Sequence, residues 1–491
     1  MMRGRFVALA VSFGLVAAGS FVDCGGGAPP VNQQLTDVDP ADTQISLAIE
    51  RSLADDQSVD ANELQVTTVK GVATLSGKAT NLLMAQRAVE IAGATKSVLS
   101  VVDEIDVQPL ARPDFEIRKD LTAALMIDPA LNSYKLNVDV DDGVVNLAGT
   151  VGSWTEKYRA AEIARGIRGV RQVQNHITVD RAEVRPDAEI AADIEARLKW
   201  DVAVDDALIH VEVNDGAVSL SGMVGSVAER ERAKRDALIA GVLSVDTSKL
   251  EVKWWARNEM RRPRRFVGMT DSDVQLAVRH ALAFDPRVRS TEVTVSVESG
   301  VASLEGTVSS LQAKSAAVED AESTVGVMRV LDYLHVEPPE HVSDHELATL
   351  VSEALQRDTY VDADDIQVKA VDGTVYLEGT VRAQFEKSRA EDLAKNVLYT
   401  VDVVDNLRVV GDPPPKSDSE IRDDIETELY WNPWLTLAEV DATVKDGVAT
   451  LHGTVDTPFK RALAEQEALQ AGARSVENEL RLRYGAGIER P

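Results

Sequence analysis

At 491 residues the chain is too long for one compact core and implies several domains. Its 44% hydrophobic and 27% charged residues exclude wholesale disorder, and with 4% aromatics its cores must be aliphatic. The net charge of −29 repels phosphate backbones, which excludes general nucleic-acid binding and leaves any contact with anionic lipid to local basic patches.

Residues 1–24 open with Arg3 and Arg5, continue through an apolar run from Phe6 to Ala18 and reach the small residues Ala17-Ala18-Gly19-Ser20. This is the layout of a secretory signal peptide, followed by a flexible tether over 25–36. No other segment approaches the roughly 18 consecutive apolar residues of a membrane span, so no transmembrane helix is expected in the mature chain. Cys24 is the sole cysteine, which excludes an intramolecular disulfide and a Cys-based zinc site. With Gly25-Gly26-Gly27 behind it, Cys24 resembles a bacterial lipoprotein maturation site, where the Cys takes the lipid. Phe21 and Asp23 depart from the aliphatic and small residues of that pattern. The alternative is cleavage near Gly19 or Ser20 with Cys24 left as an inert thiol.

Beyond the tether one signature recurs six times: a glycine at a turn, alternating apolar residues, and a second glycine six positions later. The pairs are Gly71 and Gly77, Gly143 and Gly149, Gly216 and Gly222, Gly300 and Gly306, Gly373 and Gly379, and Gly447 and Gly453. The first glycine steps by 72, 73, 84, 73 and 74 residues. In the second copy Ile117, Leu121, Ala124 and Leu125 fall on one face of a helix that starts at Asp114 and stops at Asp128-Pro129. Leu136, Val138 and Val140 then alternate as a half-buried strand, and Asp142-Gly143 makes a tight hairpin turn. Val145, Leu147 and Val151 carry the return strand, where Gly149 signals either a bulge or a close backbone approach. A second helix presents Ala160, Ile163, Ala164 and Ile167, and Val173, Ile177 and Val179 form a third strand. Fifteen residues before each turn glycine stands Asp56, Asp128, Asp201, Asp285, Asp358 or Asn432, a short polar side chain suited to bonding backbone at the end of the first helix.

The expected fold class is therefore α+β: six tandem small α-β-β-α-β modules over 37–108, 114–180, 187–253, 270–337, 343–410 and 417–484. Each is a three-stranded mixed sheet covered on one face by two helices, its second and third strands parallel through a helical crossover. The pattern V-x-V-x-x-G-x-V-x-L-x-G-x-V, with a final V-x-N-x-[LI]-x-V, resembles the BON domain of bacterial envelope proteins. The resemblance covers about residues 37–484. It implies a phospholipid-associated or envelope-maintenance module and supplies no catalytic residues.

Short connectors containing Pro109, Pro113, Pro186, Pro338-Pro339 and Pro413-Pro414-Pro415 suggest neighbours held apart or side by side. The exception is the segment 254–269. Lys253, Arg257, Arg261, Arg262, Arg264 and Arg265 crowd around it beside Trp254 and Trp255, opposed by Glu259 alone. Trp at headgroup level with Arg on lipid phosphates is one reading; a solubilised linker whose two Trp cap the third module is the other. Module two, with 8 basic against 10 acidic residues, is less acidic than module one (5 against 12) or module six (7 against 14). Its second-helix region holds Lys157, Arg159, Arg165, Arg168 and Arg171, so this module and the Arg-rich segment are the expected lipid contacts.

The chain has no P-loop, G-x-S-x-G or H-E-x-x-H motif, and its carboxylates sit on solvated faces and turns, so neither enzyme nor cofactor is expected. His341 and His345 would share a helical face, but Ser343 and Asp344 resemble an N-cap that leaves His341 outside. Trp200, Trp431 and Trp434, at the ends of first helices, fit core or inter-module packing. The expected function is a non-enzymatic protein of the periplasm or cell envelope that meets a phospholipid surface or envelope proteins. The alternative is a scaffold array without direct lipid binding.

Overall fold

A computed structural model describes residues 40–131, 136–180, 185–256, 269–285, 287–288, 292–410, 416–484 and 488–489. The signal segment, Cys24, the tether, Pro413–Pro415 and the arginines Arg257, Arg261, Arg262, Arg264 and Arg265 lie outside these residues.

Module two shows how the sequence builds the unit. The helix Asp114–Ile127 turns Ile117, Leu121 and Leu125 inward at the spacing of one helical face. The strands Leu136–Asp141 and Val144–Val151 pair antiparallel, and the second pairs parallel with Gln172–Val179 on its other side. Between them runs the helix Trp154–Gly166, started by Ser153, whose side chain accepts the Glu156 amide. Both helices pack on one face of the sheet, over a core that includes Val145, Leu147, Ala160, Ala164 and Ile177. The other modules repeat this order around their own three-stranded sheets. In module three the third strand (Ser244–Val252) carries a bulge opposite Ser219 and Ser221. In module six it splits into Ser475–Asn478 and Arg481–Tyr484.

Small side chains set the helix-to-sheet distance. Ala88 and Ala92, Ala160 and Ala164, Ala233 and Ala237 (the C-cap of its helix), Ala317 and Ala321, Ala390 and Ala394, and Ala464 and Ala468 hold equivalent places along the second helices, and all are fully buried. The pair, four residues apart, forms a smooth stripe that seats each helix directly on the central strand.

The two glycines of each repeat do different jobs. At the hairpin both central residues have positive φ, as Asp142 (49°) and Gly143 (72°) show, which is the turn that matches strand twist. The second glycine resolves the bulge-or-approach alternative. Register runs unbroken through Gly149 opposite Leu136, and in module four a Cβ on Gly306 would stand 2.0 Å from the carbonyl oxygen of Glu292. Close backbone approach is the reason.

One repeated residue carries no mark in the apolar pattern. The first residue of each first helix is Asp42, Asp114, Asp187, Asp271, Asp344 or Asp418. In five modules both its carboxylate oxygens accept the two hairpin amides, as when Asp187 takes the amides of Asp215 (2.7 Å) and Gly216 (2.9 Å). These bonds hold the Asp42 carboxyl below its ordinary range. Constant spacing of 29 residues to the turn glycine was the available signal.

Among the described residues no helix is long and apolar enough to cross a membrane.

Candidate functional site

The polar residue that ends each first helix has two tasks. Asp128 accepts the Ala130 amide (3.0 Å), turning the chain, and its other oxygen takes Arg159 Nε (2.8 Å) from the second helix. Asp56 with Arg87, Asp201 with Arg232 and Asp358 with Arg389 repeat the arrangement. In module four the partner is Arg287, two residues on. In module six Asn432 keeps the turn bond to Trp434 and donates its amide to Glu467 (2.8 Å). Local capping is as expected; the link to the second helix is the addition.

These helix ends are also where modules meet, in a nested order. The amide 25 residues after one turn glycine donates to the carbonyl 16 residues before another. Arg168 bonds Arg357 (2.9 Å) and Leu398 bonds Ile127 (2.8 Å), reciprocally joining modules two and five. Val325 bonds Trp200 (2.8 Å), joining four to three, and Lys96 bonds Trp431 (2.8 Å), joining one to six. The pairs are thus one with six, two with five and three with four. Lys416 of module six's lead-in reaches Asp55 (2.9 Å), and Arg51 pairs with Asp424.

Aromatic side chains tie pairs to one another. Trp154 Nε1 donates to Val242 O (2.8 Å), Tyr360 Oη to Ser58 O (3.0 Å) and Trp434 Nε1 to Ala203 O (3.4 Å). Modules one and three share a single buried apolar cluster, onto which Trp154, Phe284, Tyr360 and Trp431 pack from the four other modules. Lys96 sits 4.4 Å from the Trp254 ring centre and 4.5 Å from that of Tyr430, a buried cation between two aromatic rings. Trp431 and Trp434 thus serve inter-module contact, and Trp200 lines the cavity between modules three and four.

Buried acid gathers at the same contacts. Burial, then neighbouring Glu467, pushes the Glu428 carboxyl up to about 7 between modules one and six, and burial raises Glu467 as well. Burial and Asp201 push Asp236 up to about 6 between three and four. The contacts leave open clefts: about 170 Å³ in the first pair, flanked by Ser52, Glu428 and Glu467, and about 190 Å³ between two and five, flanked by Arg159, Arg357 and Arg389.

The expected lipid-contact residues separate into groups. Trp254 is packed against Lys96, whereas Trp255 is 47% exposed beside it. Lys157 lies 4.8 Å from the Trp154 ring centre, and partial burial lowers its pKa. Arg159 is held by Asp128, and Arg165 by Glu162. Arg168 donates to the carbonyls of Asp358 and Val361 in module five (3.2 and 2.9 Å). Module two's basic charge is thus drawn largely into ion pairs and the neighbouring module. The helix Asp344–Arg357 is capped by Ser343, leaving His341 before it and off the face of His345.

The profile of the BON domain matches residues 41–109, 113–181, 186–253, 270–338, 343–411 and 417–484. The osmotically-inducible protein Y of Escherichia coli (strain K12) is 30% identical over 143 residues, which is 28% of this chain and 71% of that protein. Two solved structures of CdsD, a structural protein of the type III secretion system of Chlamydia trachomatis, align at 15% and 17% identity. They cover 42% and 44% of this chain and 91% and 100% of theirs, at a TM-score of 0.12. Six matched domains laid over six repeated α-β-β-α-β modules make the chain a member of the BON-domain family.

Proposed function

We propose that this chain is a non-enzymatic cell-envelope protein, exported across the inner membrane, that supports the envelope under osmotic stress by associating with phospholipid surfaces. The observation that carries the reading is the six BON domains together with 30% identity to an osmotically inducible protein. The N-terminal layout of Arg3, Arg5 and the apolar run supports export, and Cys24 supplies a candidate lipid anchor. The proposed contact is Trp255 with the basic residues Arg257, Arg261, Arg262, Arg264 and Arg265 that follow it, because Arg159, Arg165 and Arg168 are engaged elsewhere. Lys157 is a secondary contact.

Flotation with phosphatidylglycerol-containing vesicles at low salt tests this. Wild-type protein is expected to float and to be released as salt rises. Changing Arg261, Arg262, Arg264 and Arg265 to Glu together with Trp255→Ala should abolish flotation; binding that survives would sink the assignment. A scaffold without lipid contact is the second reading, favoured by the share of Arg, Trp and Tyr side chains spent on module–module contacts. Salt-independent partner capture with no flotation would select it. Cell fractionation of a Cys24→Ala variant tests the anchor, which predicts release from the membrane fraction.

A further inference from the structure

The contact between modules three and four is built around acid. Asp201, Asp236, Asp285 and Asp320 are each at most 8% exposed. Three guanidinium groups answer them: Arg232 on Asp201 (2.6 Å), Arg287 on Asp285 (2.6 Å) and Arg197 on Asp236 (3.3 Å). Four carboxylates facing three cations leave one negative charge over. Among the described residues, one oxygen of Asp236 and one of Asp320 are buried without a hydrogen-bond partner. Both residues border a cavity of about 30 Å³ between the modules, with Trp200, His280 and Thr324. An ionised carboxylate so placed lacks the donors it needs, whereas the protonated acid is neutral and supplies a donor of its own.

We propose that the contact between modules three and four is a pH-responsive clasp, tightened when the buried side chains of Asp236 and Asp320 take up protons. The charged groups facing Asp236 are Asp201, Arg232 and Arg197; those facing Asp320 are Asp285, Arg197, Arg287 and Glu319. Burial outweighs the guanidinium groups, holding Asp236 near 6 and Asp320 well above the ordinary carboxylate range. A carboxyl raised in the closed pair binds protons more tightly there than in the open one. Its stabilisation is complete below the ordinary value of 3.8 and is lost as pH rises through about 6. The clasp is tightest in mild acid and loosest from neutrality upward.

The test is hydrogen exchange on the full chain at the amides of Val202 and Val325, which bond Ser323 and Trp200 across the contact. After correction for intrinsic exchange, the proton of Asp236 alone, released over about two pH units, should raise the opening constant on the order of 100-fold between pH 4 and 6.5, and that of Asp320 should steepen the rise. Asp236→Asn with Asp320→Asn should flatten this slope, and each single change should reduce it. His280→Gln, a change at the same cavity, should leave it intact. A flat wild-type profile overturns the clasp, as does an undiminished slope in the Asn variants or its loss in His280→Gln. Exchange in the sheet of module two reports whether each variant folds; the single variants decide the matter if the double one does not.

Discussion

At the end of the first helix, five modules carry Asp and the sixth carries Asn432, yet the turn bond to the amide two residues on persists in all six. The partner of the second terminal atom varies: an Arg of the second helix or Arg287 donates to the Asp oxygen, and Glu467 accepts from the Asn432 amide nitrogen. The acceptor oxygen is therefore the fixed requirement and the charge is adjustable. Asp358→Ala removes both tasks and leaves Arg389 facing a buried gap, at a cost of about 2–4 kcal/mol; Asp358→Asn should cost roughly half that. Urea unfolding followed by exchange in module five distinguishes them, and equal losses would contradict the ranking. The glycines make a second contrast in module six. A Cβ on Gly447 meets nothing nearer than Arg474 at 3.7 Å, so Gly447→Ala should cost about 1–2 kcal/mol for its positive φ alone. On Gly453 it would stand 2.1 Å from the Glu439 carbonyl oxygen, and Gly453→Ala should cost at least twice as much. Turn glycines and cap residues were legible in the sequence because local backbone geometry demands them. The task of the aspartates at the helix starts showed only as a constant spacing to the turn glycine, because the amides they bind lie 28 and 29 residues away.

Helices and strands followed the apolar periodicity closely, since within each module the helices pack on that module's own sheet and no distant segment overrides local preference. What periodicity did not reveal is how the helix ends dock. Lys96, Arg168, Val325 and Leu398 share a position but no chemistry, because the bond they make uses backbone alone. The contact between modules one and six also has a pH signature. Glu428, raised to about 7 by burial and Glu467, stabilises the pair fully below its ordinary value of 4.5 and progressively less as pH climbs to about 7. Glu428→Gln should therefore raise the thermal midpoint at pH 8 and leave it nearly unchanged at pH 4. Equal shifts at both pH values would remove Glu428 as the cause.

Across the described modules the chain pairs one with six, two with five and three with four, an order that no single-sequence pattern encodes, because six similar modules offer many equivalent partners. The expectation of neighbours side by side holds for modules three and four, whereas modules one and two find their principal partners far along the chain, and modules one and three share a core across the intervening module. Carbodiimide coupling of the monomer should join Lys416 to Asp55, which are 2.9 Å apart and separated by 361 residues. Absence of that linkage in monomeric protein would rule out the nested order. The same order also dictates a timetable. As the chain emerges from its N-terminus, modules one to three are complete before any of their partners exist. Module three waits for the short segment 254–269 and one further module; module one waits for the whole chain. Assembly must close like a zipper from the reversal outward, each closed pair shortening the loop that the next must span. Until the sixth module arrives, the first stands with its docking face open, and two unfinished chains held close together have the means to complete each other instead of themselves.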